Sequence, residues 1–315
     1  MNTPTRLGAY GAGLLLLAGG GYTVGGQVDT GSPTATHPSH SAHSTTKPTM
    51  DDGMNMTEPT SLPQGVIASR QGYTLDLVPA VHHGGQQRVT FRILGPDGKP
   101  VTAYQTSHDK KLHLIAVRRD FSGFQHVHPT LDTATGRWSV PLDLMSGTWR
   151  IYTDFVPTGG KNLTLASDVT VPGDPGRQSM PQPRRTAQVD GYTVTATGSL
   201  TAGEHSMLDF RVTKAGKPVT DLQPHLGAYG HLVALREGDS AYLHVHPDGE
   251  PGDGRTKPGP EIGFGAEVPS ASRYHLFLDF RVDGKVHTAQ FTLDARGSTG
   301  HTPGEDNGTE GGDHE

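Results

Sequence analysis

One unit occurs twice in this chain, so the fold must be one that can be built as two copies. Gly72-Tyr73-Thr74 recurs as Gly191-Tyr192-Thr193, and Phe91-Arg92-Ile93 as Phe210-Arg211-Val212. Gly98-Lys99-Pro100-Val101-Thr102 recurs unchanged as Gly216-Lys217-Pro218-Val219-Thr220. From Val101 to Pro129 the chain aligns without a gap onto Val219 to Pro247, and twelve of the 29 pairs are identical. The period, about 118 residues, is far too long for a solenoid and fits two copies of a whole domain. Downstream, Asp154-Phe155 matches Asp279-Phe280.

Each copy reads as β structure. Arg88–Leu94 alternates in polarity and runs into Gly95-Pro96-Asp97-Gly98, a turn signal. Leu112–Val117 is a short apolar run, and Trp149–Phe155 and Tyr274–Arg281 are aromatic-rich and alternating. No helical periodicity of useful length occurs beyond the N-terminus. Gly and Pro number 43 and 24, and the hydrophobic fraction is 32%, which suits short strands joined by many turns. The expected fold is therefore all-β: two tandem immunoglobulin- or cupredoxin-like antiparallel β-sandwich domains after an N-terminal transmembrane helix. The expected boundaries are 66–172 and 187–295, with a Pro-rich linker over 173–186.

The ends read differently. Residues 7–26 carry no charge, with Arg6 before them and Asp29 after. That length can span a bilayer, and the flanking Arg orients the rest outward. A cleaved signal peptide is the competing reading, because the compact apolar run Leu14–Ala18 is followed by small residues. Both readings of 1–26 place the bulk of the chain outside the cytoplasm, anchored at the cell membrane or secreted. Residues 27–65 are Thr, Ser, Pro, Gly and His with little to bury, and read as a disordered tether. The tail 296–315 reads likewise.

Histidine is over-used, with 18 residues, while cysteine is absent. No disulfide, thiolate site or iron–sulfur cluster can form. The net charge of −6 argues against a nucleic-acid partner. The strongest motif is His-x-His-Pro, at His126-Val127-His128-Pro129 and again at His244-Val245-His246-Pro247. On a strand, residues i and i+2 share a face. Another histidine, His113 or His231, precedes each pair by thirteen residues. If a hairpin joins the two strands, three imidazoles meet, which suits Cu(II) or Zn(II). Asp154 and Asp279 are candidates for a fourth ligand or for accepting the outer N–H of a ligand histidine. The alternative is a buried histidine network with no metal. In the tether, His37, His40 and His43 sit three apart, which aligns them on a polyproline II helix. Met50, Met54 and Met56 follow, and thioether sulfur selects Cu(I). His275 aligns with Arg150 and is expected to be exposed. Asp248–Gly263 is expected to be a largely disordered insertion.

The segments KLHLIAVRRDFSGFQHVHP and GHLVALREGDSAYLHVHP, each followed by an aromatic strand ending in Asp-Phe, resemble actinobacterial extracytoplasmic proteins described as heavy-metal-binding. They resemble more loosely the CopC-like and YtkA/FixH-like envelope proteins linked to copper. The resemblance implies metal binding outside the membrane, with copper the expected ion; zinc is second choice because the tether offers Met as well as His. One departure is that CopC-like proteins use a histidine at the mature N-terminus, which an uncleaved anchor would remove. No catalytic motif is present: no G-x-S-x-G, H-E-x-x-H, P-loop or dinucleotide fingerprint. The chain is expected to be a non-enzyme that sequesters, buffers or hands on the ion, with an envelope scaffold or adhesion module as the alternative.

Overall fold

Strands that alternate inward apolar and outward polar residues bury one face only, and two such sheets must close on each other. The computed structural model describes residues 63–77, 84–176 and 179–297. Among them no helix is long and apolar enough to cross a membrane; every regular element is a strand. The expected anchor over 1–26, the tether with His37, His40, His43, Met50, Met54 and Met56, and nearly all of the tail lie outside the described residues.

The first repeat supplies β1 (Ser69–Arg70), β2 (Tyr73–Leu77), β3 (Gly85–Leu94), β4 (Tyr104–Gln105), β5 (Leu112–Arg118), β6 (Gln125–Val127), β7 (Thr130–Asp132), β8 (Arg137–Leu144), β9 (Gly147–Pro157) and β10 (Leu163–Val171). The second supplies β11 (Thr186–Val189), β12 (Tyr192–Gly198), β13 (His205–Lys214), β14 (Lys217–Pro218), β15 (Gly230–Arg236), β16 (Tyr242–Leu243), β17 (Val245–Pro247), β18 (Glu261–Glu267), β19 (Arg273–Val282) and β20 (Lys285–Asp294). The first repeat forms sheets ordered β1-β2-β3-β8-β7 and β10-β9-β5-β6. The second forms β11-β12-β13-β18-β17 and β16-β15-β19-β20.

In each repeat the two sheets share one core. Phe91, Ile93, Trp138 and Leu142 from the first sheet meet Leu114, Trp149, Ile151 and Leu165 from the second. Phe210, Val212 and Phe264 likewise meet Leu232, Leu276, Phe280 and Phe291. The alternation is cleanest in β13, where Ser206, Leu208, Phe210 and Val212 are buried and the residues between them are exposed. Tandem β-sandwiches are thus what the repeat encodes.

The two sandwiches also bury a face against each other. Every residue of β5, Leu-His-Leu-Ile-Ala-Val-Arg, is buried. Leu114 and Ala116 point into their own core. Ile115 and Val117, on the opposite face, join Tyr152 and Phe121 against Val233, Leu235 and Phe277 of the second repeat. The Phe124 and Phe277 rings stack with centroids 4.0 Å apart, and the Tyr152 hydroxyl donates to the Ser240 carbonyl at 2.7 Å.

Three expectations are corrected here. His275 is buried, because its strand face is the one that packs against the first repeat; it stacks on Phe121 at 3.8 Å and bonds Glu237 at 2.9 Å. The segment after Pro247 is built rather than disordered: Asp253 accepts from the Arg255 and Thr256 amides at 2.7 Å each, and the chain then enters β18. The tether's last residues are also held, since the Tyr242 amide donates to the Gln64 carbonyl at 2.9 Å and Arg150 donates to the Gly65 and Val66 carbonyls.

Candidate metal centre

The face of the first sandwich that meets the second is where its histidines converge. On β5, alternation puts His113, Ile115 and Val117 on that face. β6 pairs antiparallel with β5, with Ile115 opposite His126, so His126 and, two residues on, His128 share it. The connection turns at Gly123, whose φ is +67° and whose missing side chain makes room for Trp149; a Cβ there would lie 2.6 Å from the Trp149 ring. Before β5, Ser107 to Lys110 form a tight turn with His108 and Asp109 at φ 48° and 63°. That turn aims the Ser107 carbonyl back at His113.

Three ring nitrogens meet. His113 Nδ1 lies 3.1 Å from His126 Nε2 and 3.2 Å from His128 Nε2. All three ligand atoms fall within 4.8 Å of one another. The partners on the far sides of two rings set their tautomers. His113 Nε2 is 3.1 Å from the Ser107 carbonyl oxygen, which only accepts, so Nε2 carries the hydrogen and Nδ1 a lone pair. His126 Nδ1 is 2.9 Å from Asp279 Oδ2, so that nitrogen donates and Nε2 is the one turned toward His113. Asp279, on β19 of the second repeat, is itself held by the Thr288 hydroxyl at 2.6 Å.

His113 Nδ1 therefore turns its lone pair to His126 Nε2 at 3.1 Å, an arrangement that calls for a proton or a metal ion between the two nitrogens. A metal at the usual Zn–N distance of about 2.0–2.1 Å would see the separations of 3.1 and 3.2 Å as angles of about 100°. That lies between square-planar and tetrahedral geometry. The His126–Asp279 bond fixes the ring's orientation, as a carboxylate on the outer nitrogen does for imidazoles that ligate metals. His231 covers the cluster, nearly parallel to His113 at 5.5 Å and stacked on His126 at 4.7 Å.

The surroundings keep His113, His128 and His231 neutral. Burial, and then the neighbouring His126, pull His113 down to about 3. Burial and the same neighbour bring His128 to about 3. Burial also holds His231 well below its ordinary value. Below pH 6.5 the unfolded chain takes up protons that the folded His113 refuses until about pH 3. Stability is then full above pH 6.5 and falls as pH drops through that window, with a slope of up to about 1.4 kcal/mol per pH unit for a group like His113. In the presence of chelator, the urea midpoint should fall steadily from pH 7 to pH 5. A flat midpoint would contradict the neutral, buried assignment.

The second set does not repeat the first. His231 turns toward the first cluster. His244 and His246 form an edge-to-face pair at 4.1 Å and are exposed. The cause is a sheet change: β16 pairs with β15 on the interface sheet, but β17 pairs with β18 on the other. His244 falls between them. Asp154 takes no imidazole; the Asn162 amide and the Thr164 hydroxyl donate to its Oδ1 at 3.1 and 3.0 Å. Sequence reasoning missed Ser107, whose role comes from a backbone carbonyl, and Thr288. Thr288 sits opposite Asp279 as Thr164 sits opposite Asp154, so extending the repeat past the Asp-Phe pair would have found it.

Fold and site define a tandem β-sandwich protein with a histidine cluster where its two sandwiches meet. The chain belongs to the family described as Domain of unknown function (DUF8832), which it matches over residues 68–173 and again over 187–297. No curated protein matches the chain. Among solved structures it is similar to the adhesin InvE of Yersinia pseudotuberculosis, at 14% identity over 71% of this chain and 59% of that one, with a TM-score of 0.21. It is also similar to InvD of the same organism, at 14% identity over 75% of this chain and 62% of that one, with a TM-score of 0.24. The chain thus spans about three fifths of the length of these two structures.

Proposed function

We propose that this protein binds a transition-metal ion, copper ahead of zinc, through His113, His126 and His128, and sequesters, buffers or hands on that ion outside the cytoplasm. The observation that carries the reading is the approach of His113 Nδ1 and His126 Nε2 to 3.1 Å while the outer nitrogen of each ring bonds an oxygen acceptor. Neutral imidazoles suit copper and zinc, and the methionines of the N-terminal segment add thioethers that favour Cu(I). The apolar stretch over 7–26 supports a place at the membrane, and the net charge of −6 speaks against nucleic acid. The family match names no metal, so the choice of copper rests on the residues alone.

The alternative is a non-catalytic envelope scaffold or adhesion module in which a proton takes the ion's place. The bond from His126 to Asp279 favours it, because an imidazolium there would be paired with a buried carboxylate. Metal titration separates the two. By calorimetry the full-length chain should bind one more equivalent of copper than the same chain carrying His113→Ala and His128→Ala. Equal stoichiometry, with both proteins folded, would favour the scaffold.

Asp279→Asn offers a second check. The amide keeps a hydrogen-bond acceptor for His126 Nδ1 but loses the carboxylate charge that faces it. Affinity at this site should fall by about 10–100-fold, read by competition with a chelator. An unchanged affinity would show that His126 is not a ligand.

A further inference from the structure

Beyond the three converging nitrogens of His113, His126 and His128, two more imidazoles continue outward. β15 places His231 directly opposite Asp279, the carboxylate that holds His126, so both side chains share the face turned to the first sandwich. The His231 ring lies 4.7 Å from the His126 ring, and the His108 ring follows 5.6 Å beyond it, edge to face. His108 sits in a turn closed by amide–carbonyl bonds of 2.8 and 3.1 Å between Ser107 and Lys110. Exposure rises along the series: the His126 side chain is 2% exposed, His231 is half-buried and His108 is exposed. His231 lies outside the set whose ligand atoms come within 4.8 Å of one another, so it is no fourth ligand in this arrangement. Among the described residues neither the His231 nor the His108 ring makes a hydrogen bond, whereas His113 and His126 are each tied by the outer nitrogen.

A cavity of about 200 Å³ runs beside the two outer rings. Its wall includes Ser107, whose carbonyl accepts from His113 Nε2, and the exposed pair His244 and His246. It therefore leads from solvent to the edge of the cluster. We propose that His108 and His231 are the entry path of the His113 cluster: an ion taken up at His108 passes to His231, then to His126, and leaves by the same steps. The inference rests on the metal-binding reading above and names how the ion is handed on. Two imidazoles sharing one ion at about 2.0–2.1 Å from each nitrogen keep their ring centroids about 4.5–6 Å apart. Steps of 5.6 and 4.7 Å fall in that span, so each ring can take hold of the ion before the last one releases it. With no hydrogen bond to break, His108 and His231 can turn toward the ion. Burial holds His231 neutral, which leaves it a lone pair to offer.

A path residue changes the rates of loading and release by the same factor and leaves their ratio, the affinity, as it was; a ligand changes the ratio. Transfer of Cu(II) to and from a chromophoric chelator would be followed by stopped flow for the full-length chain as wild type, His231→Phe and His108→Asn. Phe keeps the stacked ring without a nitrogen, and Asn tolerates the φ of 48° at position 108. The His113→Ala/His128→Ala protein identifies the phase that belongs to the cluster, and the N-terminal histidines and methionines are present in every arm. Each variant should slow both loading and release in that phase by about ten-fold or more, the effect of about 1.4 kcal/mol on a shared barrier, with the affinity unchanged. Unchanged rates in either variant would overturn the proposal and bring the ion in elsewhere, past half-buried His128. Weaker binding with faster release would also overturn it, by making His231 a ligand. If His231→Phe does not fold, His108→Asn, on an exposed turn, carries the test alone. Failure of the underlying reading looks different: wild type and His113→Ala/His128→Ala would bind the same amount of Cu(II), and both proposals would fall together.

Discussion

Replacing His126 by Ala is expected to lower metal affinity at the interface site by more than about 100-fold, beyond the 10–100-fold typical of losing a supporting partner. The substitution removes one of three converging nitrogens. It also removes the donor to Asp279, a carboxylate only 4% exposed, on the other sandwich. Losing a hydrogen bond to a charged group costs about 1.5–3 kcal/mol, so the metal-free protein should weaken as well. Both tryptophans, Trp138 and Trp149, are buried in the first sandwich, so their fluorescence follows its unfolding in urea. Affinity lost with stability intact would mean that the cross-repeat bond carries no weight. Stability lost with affinity intact would remove His126 from the ligand set.

Phe277→Ala should produce the largest loss of stability. The side chain is 2% exposed and stacks on Phe124 at 4.0 Å within the cluster that joins the sandwiches. Truncating a buried phenylalanine costs about 3–5 kcal/mol. For a unit of this size that is roughly a 6–20 °C fall in Tm. Because β19 carries both Phe277 and Asp279, metal affinity should fall too, although Phe277 touches no ligand. A shift of under about 2 °C by calorimetry, with affinity unchanged, would mean the sandwiches do not depend on this contact.

The sandwiches were legible because their strands alternate and their turns are marked, as in Arg88–Leu94 and the Gly95–Gly98 turn. The contact between them was not. In β5 both faces are apolar, and an apolar run does not say what covers its second face. The same blindness misassigned His275. Its aligned partner Arg150 looks like a solvent residue, yet both lie on the interface face and are buried, at 1% and 8% exposure, satisfied by Glu237 and by backbone carbonyls.

The candidate site was half legible. The spacing of His113 to His126 and His128 named the cluster, because β5 and β6 form a hairpin. The identical tetrapeptide His244-Val245-His246-Pro247 behaves otherwise. In the first repeat the pair rides on the interface sheet, whereas in the second the chain leaves that sheet after Leu243. A four-residue motif does not encode which neighbour its strand will pair with. Asp279 as partner to His126 was beyond reach for a related reason, since the bond crosses between repeats and links residues 153 positions apart.

The most direct measurement is nitrogen-15 imidazole NMR of the full-length chain before and after saturation with a diamagnetic ion, Zn(II) or Cu(I). Metal-free protein should show His113 protonated at Nε2 and His126 at Nδ1. Saturation should move His113 Nδ1, His126 Nε2 and His128 Nε2 to metal-bound shifts while the two outer N–H groups persist. A doubly protonated His126 whose nitrogens stay unmoved at saturating metal would contradict the account and leave these histidines as a structural bridge between the repeats.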